Sequence, residues 1–153
     1  MTVIYSLLFL LACSSGKNDP VDKGDVSGKA DVVAVSVSGQ PGAYTFNTTV
    51  SSPDEGCQQY ANWWEVVSAD ETLLYRRILR HSHVNEQPFA RTGGPVAINQ
   101  DDIVWIRAHM NNTGYGGEAF KGSVSKGFVK TVMPEGFAAA LETQDPQPGK
   151  CPF

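Results

Sequence analysis

The chain has 153 residues, which is enough for one ordinary domain and too few for two comfortable ones. The formal net charge is −4, so the protein has no excess of Lys and Arg to displace counterions from phosphate backbones, and nucleic-acid binding is not expected. Fifteen Gly and nine Pro indicate many turns, which favours short strands over long helices.

The chain begins with a short apolar run, residues 2–12, that carries no charge. This run is too short to span a bilayer, which takes about 20 residues, but it has the length of a signal-peptide core. It ends in Leu10, Leu11, Ala12 and Cys13. The segment resembles the bacterial lipoprotein signal, whose lipobox has an apolar residue three positions before the cysteine and a small residue directly before it.

The resemblance implies a membrane anchor. Residues 1–12 would be removed as a signal peptide, and Cys13 would become an N-terminus carrying a diacylglycerol thioether and further acyl chains such as palmitate. Several acyl chains give stable anchoring, since each buried CH₂ contributes about 0.8 kcal/mol. The protein would then lie in the bacterial cell envelope, outside the cytoplasm, with the membrane as a partner. A plain secretory peptide and a buried N-terminal strand are the alternatives, because residues 1–13 contain no Lys or Arg.

Residues 13–30 form the predicted tether. After Cys13 they are mostly Ser, Gly, Lys and Asp, with two isolated Val and no periodicity. Such a segment cannot bury enough apolar surface to repay the entropy of ordering it, so we expect a flexible spacer between lipid and domain.

A period of two in the hydrophobic pattern begins after residue 31 and predicts strands. Residues 33–37 and 44–50 alternate around a turn at 39–42, and residues 60–68 predict a central strand. Residues 73–84 predict a long strand, residues 85–95 a loop with a short edge strand, residues 102–110 the clearest strand and residues 120–128 the last one.

This pattern predicts an all-β fold, an antiparallel sandwich of about seven strands over residues 31–132. Residues 133–153 are predicted to form a short helical turn and a Pro-rich, irregular tail. The arrangement loosely resembles immunoglobulin-like and fibronectin-like modules, with Trp64 in the place of a core tryptophan. Because the likeness is one of fold alone, it implies no function.

The cysteines divide into one for lipid and two for a disulfide. With Cys13 assigned to the anchor, Cys57 and Cys151 remain as an even pair in an exported chain, and we expect them to be bonded. The bond would hold the Pro-rich tail against the sandwich; two unpaired thiols are the alternative.

The three histidines are candidate metal ligands. His81 and His83 flank one residue, so on a strand they project from the same face, about 6.5–7 Å apart along the backbone. With His109, which has a thioether next to it in the chain, they suit copper or zinc. The alternative is that they form hydrogen bonds within the sandwich. The neighbouring arginines, Arg76, Arg77 and Arg80, are interpreted as a solvated strand face.

The aromatic residues raise a second binding hypothesis. Trp63 and Trp64 are neighbours on a strand, so only one of them can face the core. The other, together with Trp105 and Tyr115, is a candidate platform for stacking a sugar ring or a partner protein. The alternative is that it packs under a loop.

No catalytic motif stands out in the chain. Gly-x-Ser-x-Gly, His-Glu-x-x-His and phosphate-cradling glycine loops are absent from the sequence, and the acids show no acid/base spacing. The favoured function is therefore a non-catalytic, lipid-anchored envelope or surface binding module with an unknown protein or glycan partner. An exported copper- or zinc-binding protein and a carbohydrate-binding module are the alternatives.

Overall fold

A computed structural model of the chain describes residues 28–152. Cys13, the apolar run before it and most of the predicted tether lie outside the described residues. Within the described part, no helix is long and apolar enough to cross a bilayer.

The described chain forms two antiparallel sheets, and this confirms the all-β prediction. The three-stranded sheet has the order β1-β2-β5 and the five-stranded sheet the order β4-β3-β6-β7-β8. The strands are β1 (Asp31–Gln40), β2 (Ala43–Ser51), β3 (Ala61–Ser68), β4 (Leu73–Ile78), β5 (Phe89–Val96), β6 (Val104–Met110), β7 (Glu118–Ser123) and β8 (Gly127–Val132).

The two sheets form a sandwich whose strand order can be compared with that of immunoglobulin-like domains. There, strands A, B, E and D share one sheet, while C, F and G form the other, to which variable-type domains add C′ and C″. β1, β2 and β5 take the first three places, and β4, β3, β6 and β7 take C′, C, F and G, with β8 as an additional edge strand. Trp64 on β3 is fully buried between the sheets, where a core tryptophan was predicted.

The main core lies between the two sheets and is built by alternating side chains. In β2 every second residue is buried, which matches the period-two pattern of residues 44–50. Facing them, β3 and β6 contribute five large apolar side chains: Trp64, Val66, Val104, Ile106 and Met110.

The five-stranded sheet is also covered on its other face. The segment after β8, residues 133–152, is called the tail below, and it includes a short 3-10 helix, Ala139–Thr143. Ala138 and Leu141 of the tail pack on Val67, Trp105 and Ala119 in a second apolar cluster. The described residues therefore form three layers, and β6 and all but the last residue of β3 are buried on both faces.

Three predicted elements differ from the observed ones. The long strand predicted over residues 73–84 ends at Ile78, because the chain must leave the five-stranded sheet to reach the other one. The loop with a short edge strand predicted over residues 85–95 does contain an edge strand, but that strand, β5, is longer than predicted. Its Pro95 is tolerated because, among the described residues, β5 pairs with β2 on one side alone and so forms a sheet edge. The last predicted strand, over residues 120–128, is a hairpin of β7 and β8.

Gly93 on β5 is required by a close approach between the sheets. A Cβ atom at this position would lie 2.6 Å from Cε1 of Tyr75 and 2.8 Å from ring atoms of Trp64. Both aromatic rings sit in the five-stranded sheet, and neither can withdraw without disturbing the core around it.

Replacement of Gly93 by Ala is therefore expected to lower the free energy of unfolding by about 1–3 kcal/mol, through overpacking. Chemical denaturation of the purified protein measures this. The matched control is Gly149→Ala, where nothing lies within 4 Å of the added methyl group; we expect a change within about 0.5 kcal/mol there. Equal stabilities for the Gly93 variant and the parent would show that the sheets can separate freely at this point.

Candidate functional site

Three buried charged side chains form a row across the outer face of the five-stranded sheet. Glu65 on β3 pairs in register with Arg76 on β4 and with Arg107 on β6. Arg76 Nε donates to Glu65 Oε2 at 2.7 Å, and Arg107 Nε donates to Oε1 at 2.8 Å. All three side chains are at most 1% exposed. The interpretation of Arg76 as part of a solvated face is therefore wrong: the tail covers it.

The remaining N–H groups of the two guanidinium groups hold the tail. Arg76 donates through Nη1 to the carbonyl of Gln144 at 2.5 Å and through Nη2 to that of Leu141 at 2.6 Å. Arg107 donates to the carbonyls of Phe137 and Ala138 at 2.7 and 2.9 Å. Hydrogen bonds from a charged donor are stronger than neutral ones, so the row fixes the path of the tail.

A disulfide makes a second attachment near the end of the tail. Cys57, which precedes β3, is bonded to Cys151, and the sequence separation is 94 residues. In the chain-entropy model such a closed loop contributes about 4–5 kcal/mol to stability.

His109 lies beside the charged row and is fully engaged by its neighbours. Its ring stacks on Trp63, with centroids 3.8 Å apart, and its Nδ1 lies 2.7 Å from Oδ1 of Asn62. Nε2 lies 3.1 Å from Oε1 of Glu142, which belongs to the tail. Burial lowers the pKa of His109, and the hydrogen bond with Glu142 opposes this shift. Burial likewise raises the pKa of Tyr115, whose ring packs against the imidazole.

A cleft of about 360 Å³ opens between residues 113–117 and residues 132–142, and we call it the tail cleft. Tyr115 and Phe137 line it with aromatic rings, and Glu142 provides a half-exposed carboxylate that also contacts His109. The volume is within the range of small-molecule sites, which are mostly apolar with a few polar groups that fix orientation.

The predicted aromatic platform is only partly present. Trp63 is 2% exposed and Trp105 is 6% exposed, so neither offers a free ring face, and the prediction of an exposed tryptophan is wrong. Arg76 and His109 cover Trp63, and Lys121 lies over the ring of Trp105. Of the three candidates, Tyr115 lines the tail cleft, whereas Trp63 and Trp105 do not.

The three histidines do not meet. His81 and His83 follow the end of β4 rather than lying on a strand, although their rings remain 4.6 Å apart. His83 stacks on Phe89 and its backbone N–H donates to Asp54, whereas His109 contacts Trp63, Asn62 and Glu142. Across residues 28–152, no group of three or more His, Cys, Asp and Glu side chains is arranged to hold a metal ion.

A second cavity of about 260 Å³ surrounds His81 and His83, and we call it the arginine pocket. Three arginines, Arg77, Arg80 and Arg91, line it beside the two imidazoles. Burial lowers the pKa of His83, and the charges of Arg91 and His81 lower it further. This positive field disfavours a metal cation at the histidine pair.

Sequence reasoning missed Glu65, Arg107 and Glu142. Glu65 and Arg107 each interrupt an apolar strand, and a charge in the middle of such a strand is a signal of a buried pair. Glu142 gave no comparable signal, since only the docking of the tail brings it to His109.

The charged row is expected to carry a large share of the stability. Replacement of Glu65 by Gln leaves two buried guanidinium groups without a counter-charge, so we expect the free energy of unfolding to fall by about 3–5 kcal/mol. Denaturation with urea measures the change. The matched control, Glu118→Gln, breaks the exposed ion pair with Lys130 and is expected to cost less than about 1 kcal/mol. A similar small cost for both variants would contradict the structural importance of the row.

The buried histidines predict a loss of stability on acidification. The pKa values of His83 and His109 lie below that of an unfolded histidine, about 6.5, so the unfolded chain binds protons first. Stability from this source is present at neutral pH and is lost over the acidic range in which the pH falls from about 6.5 toward the lowered pKa values of the two folded histidines.

The replacement His83→Phe should reduce this pH dependence, because the Phe ring keeps the stack on Phe89 and does not titrate. Asn85→Gln changes an exposed, non-titrating side chain two residues away and serves as the control with the parental pH dependence. Unfolding free energies measured at both ends of the range decide the matter. Identical dependences for parent and His83→Phe would contradict the burial of His83 in its neutral form.

The chain is similar to a known protein that carries a description. The chain is 31% identical over 130 residues to a protein of Halomicrobium mukohataei described as "Putative lipoprotein". The similarity covers 81% of this chain and 59% of that protein, so the chain spans about three fifths of the relative's length. No protein-family model matches the chain, and no solved structure matches it.

Proposed function

We propose that this protein is a non-catalytic, lipid-anchored module of the cell envelope, with Cys13 as the lipidated residue and the sandwich held outside the cytoplasm. The observation that carries the proposal is the disulfide between Cys57 and Cys151. Structural disulfides persist in oxidising compartments and are rare in the cytosol. The lipobox-like sequence at Leu10 to Cys13 and the similarity to a protein described as a lipoprotein support the same location.

The state of the buried polar groups supports the non-catalytic part of the proposal. Glu65 forms ion pairs with Arg76 and Arg107, and both arginines also donate hydrogen bonds to carbonyls of the tail. Their charges are therefore not free to act on a substrate. His109 has both ring nitrogens in contact with Asn62 and Glu142. These buried groups hold the tail against the five-stranded sheet, which is a structural role.

The tail cleft is the surface that we assign to a partner. Aromatic rings at Tyr115 and Phe137 can pack against an apolar or sugar face, while the Glu142 carboxylate can accept a hydrogen bond from a hydroxyl or amine. The charged row keeps the tail in place, so the cleft keeps its shape without a ligand.

Metabolic labelling with an alkyne analogue of palmitate tests the anchor in a bacterial host. The parent is expected to incorporate the label and to sediment with membranes, and Cys13→Ser is expected to lose both properties, because the thioether cannot form. Ser15→Ala, two residues along the chain, is the matched control and should behave like the parent. Label retained by Cys13→Ser, or free thiols at Cys57 and Cys151 in protein from intact cells, would overturn the proposal.

A further inference from the structure

The arginine pocket concentrates positive charge in a protein whose net charge is −4. Arg77 and Arg80 come from the end of β4 and the residues after it, and Arg91 comes from β5 in the other sheet. The turn of the chain between these strands adds His81 and His83. The fold therefore brings three guanidinium groups and two imidazoles to one cavity from positions up to 14 residues apart.

Two of the three guanidinium charges have no carboxylate partner. Arg80 is exposed and forms no ion pair or side-chain hydrogen bond with the described residues. Arg77 donates only to backbone carbonyls, those of Thr92 at 3.0 Å and Ile78 at 3.3 Å, so its charge is not cancelled.

The third guanidinium, of Arg91, has a partner that a ligand can displace. Arg91 Nη2 lies 2.7 Å from Oε2 of Glu86. The side chain of Glu86 is 57% exposed, so it can leave for solvent at little cost. With Glu86 and the buried Asp54 beside His83 both counted, the three arginines still leave an excess of one positive charge at the pocket.

His83 adds a buried imidazole whose hydrogen bonding is not fully satisfied by the described residues. Its side chain is 2% exposed, and its Nδ1 has no hydrogen-bond partner among the described residues. The nearest carboxylate oxygens lie 3.9 Å from Nδ1, on Asp54, and 4.0 Å from Nε2, on Glu86. Buried polar atoms are normally satisfied by protein, water or ligand, so this residue, which lines the pocket, has capacity for one more hydrogen bond.

We propose that the arginine pocket binds a phosphate group, either as the free ion or as a phosphomonoester such as a lipid headgroup. Guanidinium forks match oxyanions with two parallel hydrogen bonds, and arginine is favoured wherever phosphate is recognised in this way. A phosphate presents three or more acceptor oxygens, enough for donors arriving from Arg77, Arg80 and Arg91 together, whereas a carboxylate presents two. The proposal does not depend on lipidation of Cys13.

Isothermal titration calorimetry on the full chain in detergent tests the proposal, with inorganic phosphate in one arm and glycerol 3-phosphate in the other. The parent is expected to show saturable binding to at least one of them. Tighter binding of the free ion assigns the site to phosphate itself, and tighter binding of glycerol 3-phosphate assigns it to an esterified headgroup.

Three variants separate a built site from general charge attraction. Arg80→Gln removes an exposed side chain that forms no ion pair or side-chain hydrogen bond with the described residues, so the fold should be kept, and binding should weaken about tenfold. Glu86→Gln removes the competing carboxylate and should tighten binding about twofold to fivefold. Lys126→Ala removes one positive charge from the turn between β7 and β8 and should leave binding unchanged.

The proposal is overturned if neither phosphate compound binds the parent, or if Arg80→Gln binds as tightly as the parent. It is equally overturned if Lys126→Ala weakens binding as much as Arg80→Gln does, because the attraction would then belong to the whole surface. Weaker binding by Glu86→Gln would show that Glu86 holds the pocket together and would contradict its role as a displaceable partner.

Discussion

The ion pairs of Glu65 with Arg76 and Arg107 are the interaction on which the docking of the tail against the five-stranded sheet depends. Charged groups taken out of water are destabilising unless each one finds a partner, and here the carboxylate satisfies one edge of both guanidinium groups. The three side chains together keep one net positive charge, and the two guanidinium groups have N–H groups that Glu65 does not reach. Carbonyls of the tail accept hydrogen bonds from these N–H groups, so burial of the three charged side chains and docking of the tail require each other.

The docked tail decides the character of the five-stranded sheet. It converts an exposed face into a buried layer, removes Trp63 and Trp105 from solvent and brings Glu142 to His109. It also forms one wall of the tail cleft. The disulfide at Cys151 then limits how far the tail can move away from the sheet.

Two cavities of different chemistry follow from this architecture, and they share no lining residues. The tail cleft offers aromatic surface and a carboxylate, whereas the arginine pocket offers guanidinium groups and an incomplete imidazole. We propose that the arginine pocket holds an anionic group and that the tail cleft holds an apolar or sugar-like group. The histidines that suggested a metal instead contribute to the positive pocket and to the packing under the tail.

The sequence by itself determined the fold class and the faces of the best strands, because a period of two is a local property of the chain. Residues 44–50 alternate in the printed sequence as they do in β2, and the two cysteines left after Cys13 are the two that are joined. Periodicity predicts on which face of a sheet a side chain lies, but it does not predict which segment of the chain covers that face. Only the tertiary structure therefore decided that Arg76 and Trp63 are buried, since the tail that covers them lies about 70 residues further along the chain. The arginine pocket depends on long-range placement in the same way, because Arg91 reaches Arg77 and Arg80 only when β5 crosses to the other sheet.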